Sequence, residues 1–402
     1  MGDLTRPQKK FILTLFSTLL LSCGRATFLN LSRYSQINER TYRRQYQRSF
    51  NFIQFNQKLI EQAIDSKSEV ILAVDCSFIA KSGKRTYGID YFYNGSASRA
   101  EKGLEISAMA VVDVNQKQGY SLSVQQTPAN APSSKKEKDN QPETTRINHY
   151  LAQLEATVPY LPPSLRYVVS DGFYSKIKWV EGVTNLKLEA IGKLRRDANL
   201  RYPNQEEYPG RGRPRKYGKK VDLTDYSSFQ LVTQLSNGIT LYTTVVWSIN
   251  LKRQIRVVYL LNNSASSSYA VLFCTHLELD AYSIYLYYKS RFQIEFLFRD
   301  SKQFTGLADC YAKRYPLGQA RDLTKLDFHF NASLTALNLA KLDALQQHNC
   351  STNLVFSMAS YKRRALNYHL LERFIDKLDL NPTLIKSHPN YSNLHNYGAI
   401  SA

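Results

Sequence analysis

Two short apolar runs, each ending on an aspartate, constrain what this chain can fold into. Val70-Ile71-Leu72-Ala73-Val74-Asp75 and Tyr167-Val168-Val169-Ser170-Asp171 both read as buried strands with a carboxylate at the tip. Around them lie strand-like stretches at residues 87–93 and 104–114 and helical spacing across Ile147, Tyr150, Leu151 and Leu154. A helix over 175–181 and a strand over 188–194 follow. The series strand, strand, strand, helix, strand, helix, strand predicts an α/β sheet with crossover connections. Functional groups gather at the carboxyl ends of strands in such sheets, which makes Asp75 and Asp171 candidates.

The flanks have a different character. Residues 1–60 hold ten Lys/Arg and two acids, a charge of +8, and read as three short helices. The third carries Arg40, Arg43 and Arg44 among tyrosines, as a helix entering a DNA groove would. A polar, proline-bearing stretch at 125–145 predicts a loop. Between Lys193 and Lys220 a second basic cluster, ten Lys/Arg against three acids, centres on Arg211, Arg213, Arg215 and Lys216. Its Gly-Arg-Pro run cannot form a regular element but can lie along a groove. Strand-like stretches at 229–235, 240–247 and 254–262 predict a β-rich insertion over about 195–275. One long helix is expected from about 280 to 304, further helices to about 378, and a loosely ordered tail. The chain is thereby expected to divide into a helical DNA-binding region (1–64), a central α/β domain carrying the β-rich insertion (65–345) and a helical C-terminal region (346–402).

Composition narrows the classes. With 53 Lys+Arg against 33 Asp+Glu, the net charge of +20 over 402 residues calls for a polyanionic partner, nucleic acid before membrane. The five cysteines, Cys23, Cys76, Cys274, Cys310 and Cys350, are odd in number and contain no C-x-x-C pair. That argues against a disulfide scaffold or zinc knuckle and for a reducing cytoplasm. Lys9-Lys10 followed by the apolar run 11–21 and Leu21-Ser22-Cys23 has the order of a lipoprotein signal. The run is too short to span a bilayer, and Asp3 and the basic segment after Cys23 count against cleavage, so a buried amphipathic helix is expected. Asp90, Glu105 and Asp113 read as sheet-edge or turn acids, Asp300 as solvated, His329 as a satisfied core histidine and Asp197 as a counter-ion to its basic neighbours.

The most specific pattern lies in the helix at 280–304. Tyr288, Arg291, Glu295 and Lys302 are offset by 3, 4 and 7 residues, which places all four on one face. Such a face presents one carboxylate flanked by three phosphate-seeking groups. Taken singly, each residue has a bland explanation: an aspartate at a strand end caps a turn, and Arg291 with Glu295 makes a helix ion pair. Together, at this spacing and on so basic a chain, they point to phosphodiester chemistry.

The spacing matches the Y-(2)-R-(3)-E-(6)-K signature of the bacterial DDE transposases of cut-and-paste insertion sequences. Asp75 in Ala-Val-Asp and Asp171 in Val-Val-Ser-Asp-Gly-Phe-Tyr resemble that family's first and second aspartates. The resemblance covers roughly residues 65–345. It implies a ribonuclease H-like mixed sheet with helices on both faces, interrupted by a β-rich insertion between Asp171 and Glu295, plus N-terminal and C-terminal helical regions. It also implies that Asp75, Asp171 and Glu295 hold two Mg²⁺ ions, for which Mn²⁺ would substitute, while Tyr288, Arg291 and Lys302 grip DNA. Two divalent ions about 3.5–4 Å apart serve the entering and leaving oxygens of a phosphoryl transfer. Three clustered carboxylates need such cations, and Mg²⁺ prefers oxygen ligands. The implied partners are double-stranded DNA, both element ends and target, and a second copy of the chain in a DNA-bound homodimer. The implied setting is cytoplasmic and nucleoid-associated. Two other readings remain open: a DNA-binding relative without catalysis, which the intact acids oppose, and a ribonuclease H-like nuclease without strand transfer, which the Tyr-Arg-Glu-Lys face opposes.

Overall fold

The run that begins at Val70 forms a strand longer than its apolar stretch. In the computed structural model, which describes residues 4–129, 145–204, 216–236, 238–262, 268–310, 322–347 and 356–400, β1 (Val70–Ala80) continues five residues past Asp75. Its side chains alternate between two cores, Ile71 and Ala73 on one face, Val70, Leu72 and Val74 on the other. On one side lie β2 (Asp90–Asn94), β3 (Arg99–Asp113) and β4 (Gln118–Gln126); on the other lie β5 (Tyr167–Ser170) and β6 (Glu189–Leu194). β3 pairs antiparallel with the whole of β1, from Val70↔Asp113 to Ala80↔Gly103. The first part of β3 carries β2 and the second part β4. β5 runs parallel to β1, and β6 parallel to β5.

This register corrects the expected position of Asp75. It lies within β1, paired with Ala108, because β3 supports β1 as far as Ala80. The strand end is on the other flank: the parallel pairing stops at Val74↔Ser170. Asp75 and Asp171 are therefore the next residues on adjacent parallel strands, just where β5 runs out.

The stretch at 195–275 is β-rich but does not form a body of its own. It contributes β7 (Leu200–Pro203), β8 (Tyr217–Lys220), β9 (Gln230–Gln234), β10 (Ile239–Ser248), β11 (Arg253–Asn262) and β12 (Ser268–Cys274). β12 pairs antiparallel with β6, so one mostly antiparallel sheet of twelve strands runs β2-β3-β1-β5-β6-β12-β11-β10-β7-β8, with β4 on β3 and β9 on β10. The expected loop residues 130–144, and Arg211, Arg213, Arg215 and Cys350, lie outside the described residues.

Helices cover both faces. The N-terminal region contains α1 (Arg6–Leu21), α2 (Phe28–Tyr34), α3 (Glu39–Gln45) and a further helix, α4 (Phe52–Ala63). Then α5 (Arg146–Thr157) and α6 (Ile177–Asn185) pack on the Leu72 face, through Tyr150, Leu154, Trp179 and Val183. On the Ile71 face lie α7 (Ala281–Ser290), α8 (Gln293–Phe304) and α9 (Leu323–Gln347). The helices expected to about residue 378 include α10 (Met358–Lys377), and the tail beyond it, expected to be loose, carries α11 (Pro382–Lys386) and α12 (Tyr391–His395). Asn381 caps α11 and Pro382 opens it. No described helix is long and apolar enough to cross a membrane.

The central helix is α9. One side presents Leu326, Phe330, Leu334 and Leu337 to the sheet core. The other presents Phe328, Ala332 and Ala336 to the N-terminal helices. There α1 begins with a Thr5/Gln8 capping box and Pro7 in its first turn, and its 11–21 run buries Phe11, Ile12, Leu15, Phe16 and Leu19. Tyr46 and Phe52 pack on Phe328, with ring centroids at 4.5 and 5.0 Å.

α9 also finishes the sheet edge. The outer edge of β4 meets no further strand among the described residues, and polar side chains of α9 take its backbone groups. Asn338 donates to Ser121 O at 2.7 Å and accepts from Ser121 N at 2.9 Å. Asn331 donates to Val124 O at 3.1 Å, and Lys341 to Gly119 O at 2.8 Å. A buried strand edge needs such partners.

His329, also on α9, is 2% exposed, and its Nε2 lies 2.9 Å from Gly306 O. A carbonyl only accepts, so Nε2 carries the proton. Burial lowers its pKa to about 4, helped by the charge of Lys81. The folded value lies below the unfolded one, so this contribution is complete above about pH 6.5 and fades as pH falls toward 4. The full loss is about 3 kcal/mol. In His329→Gln, which can still donate to Gly306 O, the fall in melting temperature between pH 7 and pH 4.5 should be smaller than in the wild type; calorimetry at both pH values measures it, and parallel falls would contradict the assignment.

Candidate active site

The expected single helix at 280–304 is two helices. Asp280 caps α7, accepting from Ser283 N at 2.9 Å. Arg291 and Phe292 keep right-handed backbone angles, but the hydrogen bonds tighten to i→i−3: Phe292 N to Lys289 O, Ile294 N to Arg291 O and Glu295 N to Phe292 O. This joint separates α8 from α7 and places Arg291 between them.

Arg291 is the centre of the site. Its Nη1 donates to Asp75 Oδ2 at 2.7 Å, and its Nη2 to Glu295 Oε1 at 3.0 Å. Its side chain is 12% exposed, against 19% for Asp75 and 41% for Glu295. The ring of Tyr288 is 5.8 Å from the guanidinium carbon. Asp171 accepts at Oδ1 from Phe173 N at 2.9 Å, capping the tight turn Gly172–Tyr174. Its charge still acts on Asp75, Arg291 and Tyr288. Lys302 turns inward, donating to Phe78 O at 2.8 Å, three residues beyond Asp75 on β1.

The charges balance incompletely. Burial pushes Asp75 up to about 6; Arg291 pulls it down, while Asp171 and Glu295 push it up. For Arg291, burial works to lower the value, and the surrounding carboxylates, Asp75 foremost, overcome it and raise it. Burial lowers the Lys302 ammonium and raises the Tyr288 phenol. Arg291 Nε is buried with no hydrogen-bond partner among the described residues, a donor left over for an anion.

Among the described residues no three Asp, Glu, His or Cys side chains form a metal-ligand group; a guanidinium stands between two of the acids. The donor chemistry nonetheless fits a hard divalent cation. All three side chains offer oxygen, and Asp75, raised first by burial and further by Asp171 and Glu295 against the pull of Arg291, would gain from an added cation.

The sequence reading missed the floor of the site. Cys76 N donates to Asp75 Oδ1 at 2.8 Å, and Cys76 Sγ lies 3.2 Å from the Tyr174 hydroxyl. Glu105, expected at an edge or turn, is instead buried within β3 and accepts from Tyr150 Oη at 2.7 Å. Asp113 is buried at the end of β3 and accepts from Gln116 N in the following turn. Asp300, expected in solvent, has a side chain only 13% exposed and pairs with Arg299. Asp197 does pair with Arg195, at 3.0 Å. Of the outlying candidates, Arg40, Arg44 and Lys216 are exposed, while Arg43 is tied to Glu39 along α3.

Removing one partner of a buried ion pair strands the other charge. Arg291→Ala should therefore lower unfolding stability by about 2–4 kcal/mol in metal-free buffer, read by urea denaturation. Arg291→Lys should restore only part, because one ammonium lacks the two-point fork. Equal stability of the alanine variant and the wild type would show that the pair does not hold the site together.

No curated protein matches the chain. The family model described as DDE superfamily endonuclease matches residues 1–254, well over half of the 402; Asp75 and Asp171 fall within the match and Glu295 beyond it. An aspartate of β1 joined through Arg291 to a helical glutamate, with a second aspartate just past the adjacent strand β5, thus lies in a chain that belongs to the DDE superfamily endonucleases.

Proposed function

We propose that this chain is a DNA transposase, which binds the terminal inverted repeats of an insertion sequence, cleaves there, and joins the freed 3′-hydroxyl ends to target DNA. The carrying observation is the Arg291 fork, which joins Asp75 of β1 to Glu295 of α8 beside Asp171. The strand order supports a ribonuclease H-like core: β4, β3 and β1 are antiparallel, and β1, β5 and β6 are parallel. Both aspartates lie where the two central strands separate.

Asp75, Asp171 and Glu295 would hold the divalent ions, Mg²⁺ by preference and Mn²⁺ in its place. Bound there, the ions supply charge neutralisation at phosphorus and an activated oxygen nucleophile. The chain's own residues do the positioning. Arg291 offers a planar fork and a free Nε to a phosphate, with Tyr288 beside it. Lys302 holds α8 against β1 and would meet the DNA backbone near Arg291. Exposed Arg40, Arg44 and Lys216, with Arg43, Arg211, Arg213 and Arg215, would track the duplex by counter-ion release. Cutting two element ends in one reaction favours a DNA-bound homodimer.

Cleavage of DNA carrying the element ends should require Mg²⁺ or Mn²⁺ and stop with a chelator. Asp75→Asn, Asp171→Asn and Glu295→Gln should each abolish it while DNA binding, read by mobility shift, survives. Cleavage persisting in any of the three would overturn the assignment of the centre. Cut ends without joined products in the wild type would reduce the activity to hydrolysis.

A further inference from the structure

The β2–β3 hairpin has one satisfied face and one bare one. On the first, Glu101 accepts from Asn94 Nδ2 at 2.7 Å and from Arg99 Nε at 2.8 Å. Phe92 is fully buried, with Arg146 4.9 Å over its ring. The opposite face carries Tyr91 and Tyr93, which are 64% and 60% exposed. Neither ring meets another aromatic ring among the described residues. The register sets Lys102 opposite Tyr91 and Ala100 opposite Tyr93, so a cation stands beside one ring and a notch beside the other.

Two large rings on the bare face of an edge strand are a liability unless something covers them. The spacing says what fits. Residues two apart on a strand are separated by about 6.6–6.8 Å, twice the roughly 3.4 Å rise between stacked bases. One planar base fills such a gap with a ring on each side. The surroundings are cationic: Lys84, Arg85 and Lys102 are exposed on the same hairpin and its approach. The hairpin continues from the strand pair that carries Asp75, with the two rings beyond its near end. Gly103 pairs with Ala80, five residues along β1 from Asp75, about 17 Å at strand rise.

We infer that Tyr91 and Tyr93 form a stacking platform for unpaired bases of the DNA strand leading to the acid centre, with Lys102 meeting the adjoining phosphate. This rests on the DNA reading above and adds a second contact, made to bases rather than to the backbone. Stacking on aromatic rings tolerates any base, so the platform would hold a frayed or cut end whatever its sequence.

The test compares a blunt duplex with the same duplex bearing a short single-stranded extension that contains 2-aminopurine, in chelator-containing buffer. The full chain should bind the extended DNA more tightly and change the 2-aminopurine emission. Tyr91→Ala and Tyr93→Ala should each weaken that binding by about tenfold and leave blunt-duplex binding unchanged. Tyr91→Phe and Tyr93→Phe should behave as wild type. Both positions are exposed, and unchanged melting temperatures of the variants establish that they are folded. Equal wild-type affinity for the two DNAs, or an alanine variant that keeps the preference, would overturn the platform alone. Failure of the wild type to bind either DNA would overturn the DNA reading and the platform with it.

Discussion

One guanidinium holds together parts of the chain more than two hundred residues apart. Arg291 contacts Asp75 on β1 and Glu295 on α8, and without it the acids around Asp75 would sit together on strands and a helix already packed into an apolar core. Nearby carboxylates raise the proton affinity of Asp75, and the guanidinium lowers it. Arginine suits the position because its fork reaches two carboxylates at once and stays charged when desolvated. Its compensation is partial, since Asp75 still rises to about 6. The same group that stabilises the acids in the free chain is the one whose chemistry matches a phosphate.

Around that centre, α9 makes the rest of the molecule one structure. It closes the open edge of β4 with Asn331, Asn338 and Lys341 and receives the N-terminal helices on Phe328, Ala332 and Ala336. A basic helical region that shares a core helix with the catalytic sheet is not free to swing on a linker. Its exposed Arg40 and Arg44 therefore keep a defined position relative to Asp75.

Local and periodic signals were legible in the sequence. The β1 and β5 runs, the Arg291–Glu295 pairing and the burial of the 11–21 helix follow from residues a few positions apart. The helix break at Arg291–Phe292 was not legible, because both residues remain right-handed and only the hydrogen-bond step changes. Neither was β4, although Tyr120, Leu122 and Val124 alternate as a strand should. The intervening Ser121 and Ser123 have side chains that suit a solvent-facing side of a strand, yet both are buried, Ser121 against Asn338 some two hundred residues later. The position of Asp75 within β1 likewise depended on how far β3 extends, which no pattern in β1 encodes. Glu105 and Tyr174 were missed for the same reason: their partners come from separate elements.

The break between α7 and α8 changes what the Tyr-Arg-Glu-Lys spacing means. In one straight helix, residues 288 and 302 would stand about 21 Å apart along the axis, and four side chains would line a long face toward solvent. In the folded chain Arg291 and Lys302 instead grip the same strand, at Asp75 and at the carbonyl of Phe78. Those two points are about 10 Å apart on β1, and their partners are about 16 Å apart along the helix, so the long arginine and lysine side chains hold α8 to β1 near both of its ends. Glu295 lies between the two anchors, four residues from one and seven from the other. The spacing is therefore a device for fixing one carboxylate against a strand: the arginine and lysine set where α8 lies, and the glutamate falls beside Asp75 as a consequence.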